Sequence, residues 1–373
     1  MDFRKFEKID SKASFLGYGC MRFPTKDDKI DEEQSIKLLK AAVEGGVNYF
    51  DTAYIYHNSD SERFLGDFLA NHINRPRESY YIATKLPTWE VNSLDDAKRI
   101  FAEQLKRLQA SYVDFYMLHD LKLDRFEKME KLGVYEYCRE LQKEGKIRHF
   151  GHSSHENSDN FAKIVAAREW DFVMLQLNYM DLDNMKLYDI CEEKGIPVLA
   201  MEAVRGGSLA KLPDNILAHF TAVEPSATPA SWAIRWVGGL SDVKVILSGM
   251  SDMQQVEDNL NTCSNFKPLN AAEELAVKKV ESDLRKRVFN SCTGCNYCMP
   301  CPAGVNIPWC LSIYNDYGIY ENRGHTNWIW GIVPEESKPA KCTDCGKCSQ
   351  ICPQGIDVVD ALKRANECMN SIR

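Results

Sequence analysis

Val113-Asp-Phe-Tyr-Met-Leu-His119 is a short, mostly apolar run closed by a polar side chain. Its length and its aromatic and β-branched content suit a buried strand better than a helix. Comparable runs occur at Val47–Ala53, Tyr80–Thr84, Ile147–Gly151, Phe172–Leu177, Pro197–Met201 and Val243–Leu247, and a shorter one around Phe15–Gly19 opens the series. Amphipathic stretches lie between them. Ile36, Leu38, Leu39 and Val43 share one helical face, with Asp31 placed to cap it ahead of Glu32 and Glu33. Ser61–Leu69, Asp95–Leu108, Met129–Glu144 and Met253–Leu260 read the same way. Strands apolar throughout, alternating with helices, predict an α/β protein with a parallel sheet covered by helices. Eight such units favour a closed (β/α)8 TIM barrel over an open doubly wound sheet. Gly17-Tyr-Gly19-Cys-Met-Arg22 also lacks the third glycine of a dinucleotide-binding Rossmann turn.

The chain has 373 residues, 44% hydrophobic and 27% charged, with a net charge of −8. Those values fit a globular protein with a large core and offer no broad basic surface to nucleic acid or anionic lipid. The charged start, Met1-Asp-Phe-Arg-Lys-Phe-Glu-Lys, lacks the apolar segment of an export signal, and no uncharged run is long enough to span a membrane. A cytoplasmic protein is expected.

Fourteen cysteines are present, and ten of them fall between Cys292 and Cys368. The first ladder is Cys292-x2-Cys295-x2-Cys298-x2-Cys301-Pro302, and the second is Cys342-x2-Cys345-x2-Cys348-x3-Cys352-Pro353. The second has the spacing of a bacterial two-cluster ferredoxin. There three thiolates wrap one 4Fe–4S cubane, and the fourth, before proline, ligates the other. This predicts two 4Fe–4S clusters. One takes Cys292, Cys295, Cys298 and Cys352; the other takes Cys342, Cys345, Cys348 and Cys301. The first ladder is one residue short before Cys301, so Cys310 is an alternative ligand, its other reading being a spare buried thiol. Structural zinc prefers two Cys-x2-Cys pairs separated by a longer loop, and disulfides need an oxidising compartment. The scattered Cys20, Cys138, Cys191 and Cys263 read as small buried hydrophobes. The expected division is a barrel over 1–270, a linking helix over 271–288, and a mainly helical ferredoxin-like domain over 289–373.

In barrels of this kind reactive groups sit where strands end and loops begin. Those positions hold Asp51 with Tyr56 five residues on, Lys85, His119, Ser153 and Ser154, and Gln176 with Asn178. A tyrosine, a lysine, an aspartate and a histidine on successive strand ends suit protonation of a carbonyl oxygen as hydride reaches its carbon. A lysine cation lowers the pKa of a neighbouring phenol, a carboxylate fixes the lysine, and histidine orients the carbonyl. Singly, each has an ordinary structural reading.

Asp51-Thr-Ala-Tyr-Ile-Tyr56, Ser61-Glu-Arg-Phe-Leu-Gly66, Ala83-Thr-Lys85, Leu118-His119, Gly151-His-Ser153-Ser and Gln176-Leu-Asn-Tyr together resemble the signature of the aldo/keto reductases. With the cysteine ladders behind the barrel, the layout is similar to the ferredoxin-fused branch of that family. The resemblance implies a catalytic tetrad of Asp51, Tyr56, Lys85 and His119, with Tyr56 as general acid, and a small carbonyl or alcohol substrate. It also implies NADP or NAD extended across the barrel mouth. Gly19 and Met21 would lie beside the cofactor, Ser153, Ser154 and Gln176 would hold its carboxamide, and Met201 would face its ring. Gly249, Ser251, Gln255 and Asn259 would hold the adenosine end. Three positions depart from the family pattern. Gln255 stands where a basic residue often meets the 2′-phosphate, Met201 where a tyrosine often stacks on nicotinamide, and His57 where glycine often follows the tetrad tyrosine.

Clusters move single electrons and nicotinamide moves hydride, so coupling the two calls for a converter such as a flavin, which a barrel can bind through loops with little sequence trace. Two arrangements retain the reductase chemistry: a nicotinamide-dependent reductase with structural or regulatory clusters, and a reductase fed through its clusters by an electron-donor protein. A non-enzymatic electron carrier is the third. The aromatic residues between the ladders, Trp309, Tyr314, Tyr317, Tyr320, Trp328 and Trp330, are expected to pack the core of the cluster domain.

Overall fold

The computed structural model describes residues 1–6 and 11–372. Eight parallel strands form a closed barrel: β1 (Leu16–Gly19), β2 (Tyr49–Asp51), β3 (Tyr81–Pro87), β4 (Val113–His119), β5 (Ile147–Ser154), β6 (Phe172–Gln176), β7 (Val198–Met201) and β8 (Val243–Ser248). Each pairs with its neighbour in chain order, and β8 returns to β1 through Leu247↔Gly17. All eight fall on the runs expected from sequence. Asp31 caps the first helix, Glu32–Glu44, by accepting the Gln34 amide at 3.1 Å.

Phe115, Met117, Phe172, Met174, Leu199, Val245, Tyr49 and Ala83 fill the barrel interior. Phe6 and Ala13 join them from an antiparallel pair, Phe3–Phe6 with Ser11–Ser14. That pair covers the end where strands begin: the Lys12 amide donates to the Tyr81 hydroxyl, the Ser14 amide to Asn48, and Ser11 Oγ meets His149 Nε2 at 2.7 Å. Plugged there, the barrel keeps its other end for a site. Register aligns the strand ends into one rim, with Gly19↔Asp51, Pro87↔His119, Leu175↔Ser154 and Gln176↔Met201 as Cα partners.

The chain forms two compact units, Met1–Ala203 with Ser231–Leu269, and Val204–Ala230 with Asn270–Arg373. In the second, helix Asp214–Thr221 packs on helix Ala271–Arg285, and His219 Nε2 meets Asp283 at 2.8 Å. Helices Ile307–Tyr320, Arg323–Ile332 and Val358–Ser371 enclose a core that includes Leu311, Ile313, Trp330, Leu362 and Met369. Of the aromatic residues between the ladders, Tyr314, Tyr320 and Trp330 are buried, Trp309 and Tyr317 half-buried, and Trp328 exposed. Among the described residues no helix is long and apolar enough to cross a membrane.

Candidate functional site: a barrel mouth and two cysteine loops

Lys85, at the end of β3, is buried. Its Nζ donates to Asp51 Oδ1 at 2.5 Å, to the Thr52 carbonyl at 2.9 Å and to the Tyr56 hydroxyl at 3.4 Å. The Tyr56 and His119 rings meet edge-on, with centroids 6.1 Å apart. The four polar residues expected from strand ends therefore converge. A buried network holds the lysine strand from behind. Gln104 Nε2 donates to the Lys85 carbonyl at 3.0 Å and to Glu62 at 2.9 Å, Thr84 Oγ1 donates to Glu62 at 2.6 Å, and the Tyr116 hydroxyl donates to Gln104 at 2.8 Å. Glu62 belongs to the Ser61–Gly66 signature, but nothing in the local sequence distinguishes Gln104 from ordinary helix polarity, so the network itself is visible only in three dimensions.

Electrostatics set the protonation states. Burial works against the Lys85 cation, but Asp51 and Tyr56 outweigh it and hold the lysine above its ordinary value. Burial pushes the Asp51 carboxyl up, and Lys85 pulls it back. For Tyr56, burial raises the phenol pKa by more than Lys85 lowers it. The net direction is thus opposite to that expected from lysine alone, because a tyrosinate without water loses more than one nearby cation returns. The group stands as a protonated donor. His119 lies well below the ordinary histidine value through burial, then the Lys85 charge, and is a neutral imidazole. Asp51 Oδ2 and His119 Nδ1 are buried without hydrogen-bond partners.

Backbone strain accompanies this site. His57, Asn58 and Ser59 follow Tyr56 with φ of +51°, +53° and +70°. The left-handed region costs non-glycine residues about 1–2 kcal/mol each, least for asparagine.

The other rim residues divide. Ser153 Oγ accepts the Asp120 amide at 2.9 Å, and Ser154 Oγ donates to the Leu121 carbonyl at 3.2 Å, so both serines also brace the loop after β4. Gln176 Nε2 and Asn178 Nδ2 both donate to Asp181 Oδ2, at 2.5 and 2.9 Å. Met201 is half-buried at the end of β7, and Met21 is exposed. A Cβ on Gly249 would come within 2.9 Å of the Arg22 side chain, so the two loops touch only because that residue is glycine. A Cβ on Gly19 would stand 3.4 Å from the Ser248 and Gly249 backbone, an ordinary contact. Asn259 Nδ2 donates to Ser248 Oγ at 2.9 Å. Gln255 accepts the Ser251 amide and donates to Asp252, each at 2.8 Å. Sequence reasoning missed Trp89, whose ring lies 5.1 Å from His119 with the Arg125 guanidinium 5.3 Å from its centre.

In the second unit Cys292, Cys295, Cys298 and Cys352 line one cavity with Ile307, Leu311 and Ile356. These are the four thiols grouped by spacing, and four thiols around a cavity with an apolar wall fit a cubane. Cys301 is near enough to act on the Cys342 thiol, and Cys342 on that of Cys348, while Cys345 is exposed. Among the described residues no three His, Cys, Asp or Glu side chains are close enough to hold a single metal ion. A cubane asks for a wider spread, because each thiolate binds its own iron.

The unit is internally duplicated, which the cysteine spacing by itself had not exposed. Cys292-Thr-Gly-Cys295-Asn-Tyr-Cys298 matches Cys342-Thr-Asp-Cys345-Gly-Lys-Cys348. The left-handed positions match too, Gly294 and Asn296 at +70° and +64° against Asp344 and Gly346 at +54° and +71°. Such alternation turns successive amide N–H groups inward into an anion-binding nest. Cys301-Pro-Ala-Gly304-Val-Asn306 then matches Cys352-Pro-Gln-Gly355-Ile-Asp357, with Asn306 and Asp357 each capping the next helix. Cys301 is therefore the counterpart of Cys352 despite the missing residue. Cys310 is buried, its thiol pushed up to about 12 by burial and donating to the Ser337 carbonyl at 3.6 Å.

Residues 15–281 match the family model described as "Aldo/keto reductase family". The chain belongs to the aldo/keto reductase family. Residues 291–356 of this aldo/keto reductase match a 4Fe-4S dicluster domain. An uncharacterized oxidoreductase, YqkF, of Bacillus subtilis is 25% identical over 319 residues, covering 77% of this chain and 98% of that one. The NADH-specific methylglyoxal reductase of Escherichia coli is 25% identical over 301 residues, covering 67% and 90%. The holo form of aldo-keto reductase AKR11C1 from Bacillus halodurans superposes with a TM-score of 0.62 at 24% identity, covering 75% of this chain and 96% of that one, a likeness of fold. The enzyme is an oxidoreductase whose family acts on small carbonyl compounds, and a 4Fe–4S domain follows its barrel along the chain.

Proposed function

We propose that the barrel (1–270) reduces a small carbonyl compound with a nicotinamide cofactor, and that the region 289–373, joined by 271–288, carries two 4Fe–4S clusters. The observation that carries this reading is the Lys85 contact set, which joins a buried carboxylate at 2.5 Å to the half-buried Tyr56 phenol at 3.4 Å. Bound nicotinamide supplies hydride to the carbonyl carbon. Tyr56 donates its phenolic proton to the carbonyl oxygen as negative charge builds there. Lys85 stabilises the tyrosinate left behind, and Asp51 keeps the lysine charged and in place. The neutral His119 directs a ring nitrogen at the same oxygen. Ser153, Ser154 and Gln176 present polar groups to the carboxamide, and the loops that hold Gly19 and Gly249 lie along the extended nucleotide.

NADH is the better fit. Gln255 is folded onto Asp252, and no Lys or Arg lies between Lys244 and Lys267. A 2′-phosphate there would face a carboxylate with no cation from this segment to accept it. The related methylglyoxal reductase, NADH-specific by name, points the same way and suggests a short aldehyde as substrate.

One observation favours a second source of electrons. Cys295 and Cys345 are exposed, so a donor protein could reach both clusters. Anaerobic assay of the purified holoenzyme with NADH and small aldehydes, with and without a reduced one-electron donor, tests both readings. Aldehyde-dependent NADH oxidation supports the first; turnover only with the donor supports the second. Turnover in neither overturns the reductase assignment.

A further inference from the structure

His57 has no part in the chemistry derived above, yet it holds a conformation that its own backbone resists. It opens the left-handed run His57-Asn58-Ser59, directly after Tyr56; histidine and asparagine are found in that region more often than most residue types and serine is not, but three in succession is a costly backbone. Residues stay there only where surrounding contacts over-determine them. The contacts are on one side. The His57 ring lies 5.7 Å from the Phe23 ring, and the Met21 backbone acts on it in the sense that favours a protonated ring nitrogen, while its Nε2 is buried without a partner. Phe23 is itself wedged between Phe64, edge-on at 4.9 Å, and Tyr18, stacked at 5.9 Å. Met21 to Phe23 form the loop after β1, whose neighbour Arg22 packs on Gly249. The ring therefore ties the loop carrying Tyr56 to the loop beside the proposed cofactor surface.

We propose that His57 is a positioning residue, a clamp that draws the loop after β2 onto Met21 and Phe23 and so sets where the Tyr56 hydroxyl stands relative to the carbonyl oxygen. The inference rests on the carbonyl-reductase reading for its consequence in turnover, but the clamp itself is a statement about the loop. His57 is the residue in the run whose side chain reaches the β1 loop, and it adjoins the tyrosine, so a shift at Met21 is transmitted through one peptide. Misplacement of an acid by about 1 Å is worth about a hundredfold in rate.

Two variants separate strain from clamp. His57→Gly accepts the left-handed backbone without strain but removes the ring. His57→Asn also tolerates that backbone, and its amide N–H can take the place of the ring N–H beside Met21. In wild type, H57G and H57N, with clusters loaded, three quantities are compared: amide hydrogen exchange over 54–60, melting temperature, and kcat and KM for NADH with a short aldehyde. The clamp predicts faster exchange over 54–60 in H57G, a melting temperature equal to or above wild type, and kcat lowered 10- to 100-fold with KM for NADH within threefold. H57N is expected to restore both exchange and kcat to within about threefold. Equal exchange in all three proteins overturns the clamp, whether or not the wild type turns over an aldehyde. Faster exchange in H57G with unchanged kcat overturns the positioning role, and an H57N as impaired as H57G overturns the contact with Met21 as its basis. A wild type with no aldehyde turnover overturns the consequence for catalysis along with the reductase reading, and exchange then decides the clamp.

Discussion

Lys85 Nζ and Asp51 Oδ1 stand 2.5 Å apart with both side chains almost wholly out of water. A buried pair of this kind contributes little net stability against an apolar substitute, whereas removal of one partner strands a charge. Lys85→Met and Asp51→Asn are each expected to lower unfolding free energy by about 3–5 kcal/mol, and the double variant by less than the sum. Urea unfolding of the four proteins checks this. Fully additive losses would mean that the two groups do not interact as described.

Two histidines held neutral by desolvation, His152 buried and His119 half-buried, give stability a pH dependence of defined sign. His152 is buried, edge-on to Trp170 at 4.5 Å, and burial pushes its pKa down to about 3 from 6.5. His119 is shifted in the same direction. The unfolded chain takes up these protons near pH 6.5 and the native state resists them, so stability is complete above that value and falls as pH drops from 6.5 towards 3. The limiting slope is about 1.4 kcal/mol per pH unit for each histidine. Urea midpoints at pH 7.5, 6.0 and 5.0 should decrease in that order, and His152→Phe should flatten the trend. A midpoint that rises on acidification contradicts the assignment of a neutral buried imidazole.

The legibility of this chain varied with the physics involved. Strand cores such as Phe172–Gln176 announce themselves because a strand covered on both faces must be apolar along its length. The convergence of Asp51, Lys85 and His119 on one end of the barrel was legible because they interrupt such runs at their ends. The barrel floor was not, since Phe3-Arg-Lys-Phe6 is short and charged and buries only one side. The left-handed run at His57 was equally hidden: histidine and asparagine visit that backbone more often than most residues but do not announce three such positions in succession, and the contacts around the ring come from Phe23, distant in sequence. Asp181 and Trp89 escaped for the same reason, being loop residues whose meaning lies in what they face. The direction of the Tyr56 shift depended on how deeply the phenol is buried, a quantity that spacing does not carry.

Nucleotide choice follows from the segment around Gln255. The ratio of kcat/KM for NADH to that for NADPH is expected to exceed about tenfold, and Gln255→Arg should narrow or reverse it by supplying the missing cation. Initial rates with both nucleotides measure this. A wild-type preference for NADPH would show that a cation from elsewhere meets the 2′-phosphate.

Cluster ligation separates Cys301 from Cys310. Iron and acid-labile sulfide in the anaerobically purified protein should approach eight each per chain. Cys301→Ser is expected to lower iron content or alter the spectrum of one cluster, and Cys310→Ser to leave both unchanged, because Cys301 repeats the position of Cys352 while the Cys310 thiol is committed to Ser337. Loss of a cluster in the Cys310 variant alone would reverse that assignment.

Tyr56→Phe removes one oxygen from the convergence on Lys85 and leaves the cysteine loops untouched. The direct test is carbonyl reduction by this variant beside the wild type, with the paramagnetic signal of the reduced clusters recorded on the same samples. The account predicts a loss of at least about a hundredfold in kcat, the share typical of a general acid, with the cluster signal unchanged. Reduction within a fewfold of wild type would contradict it.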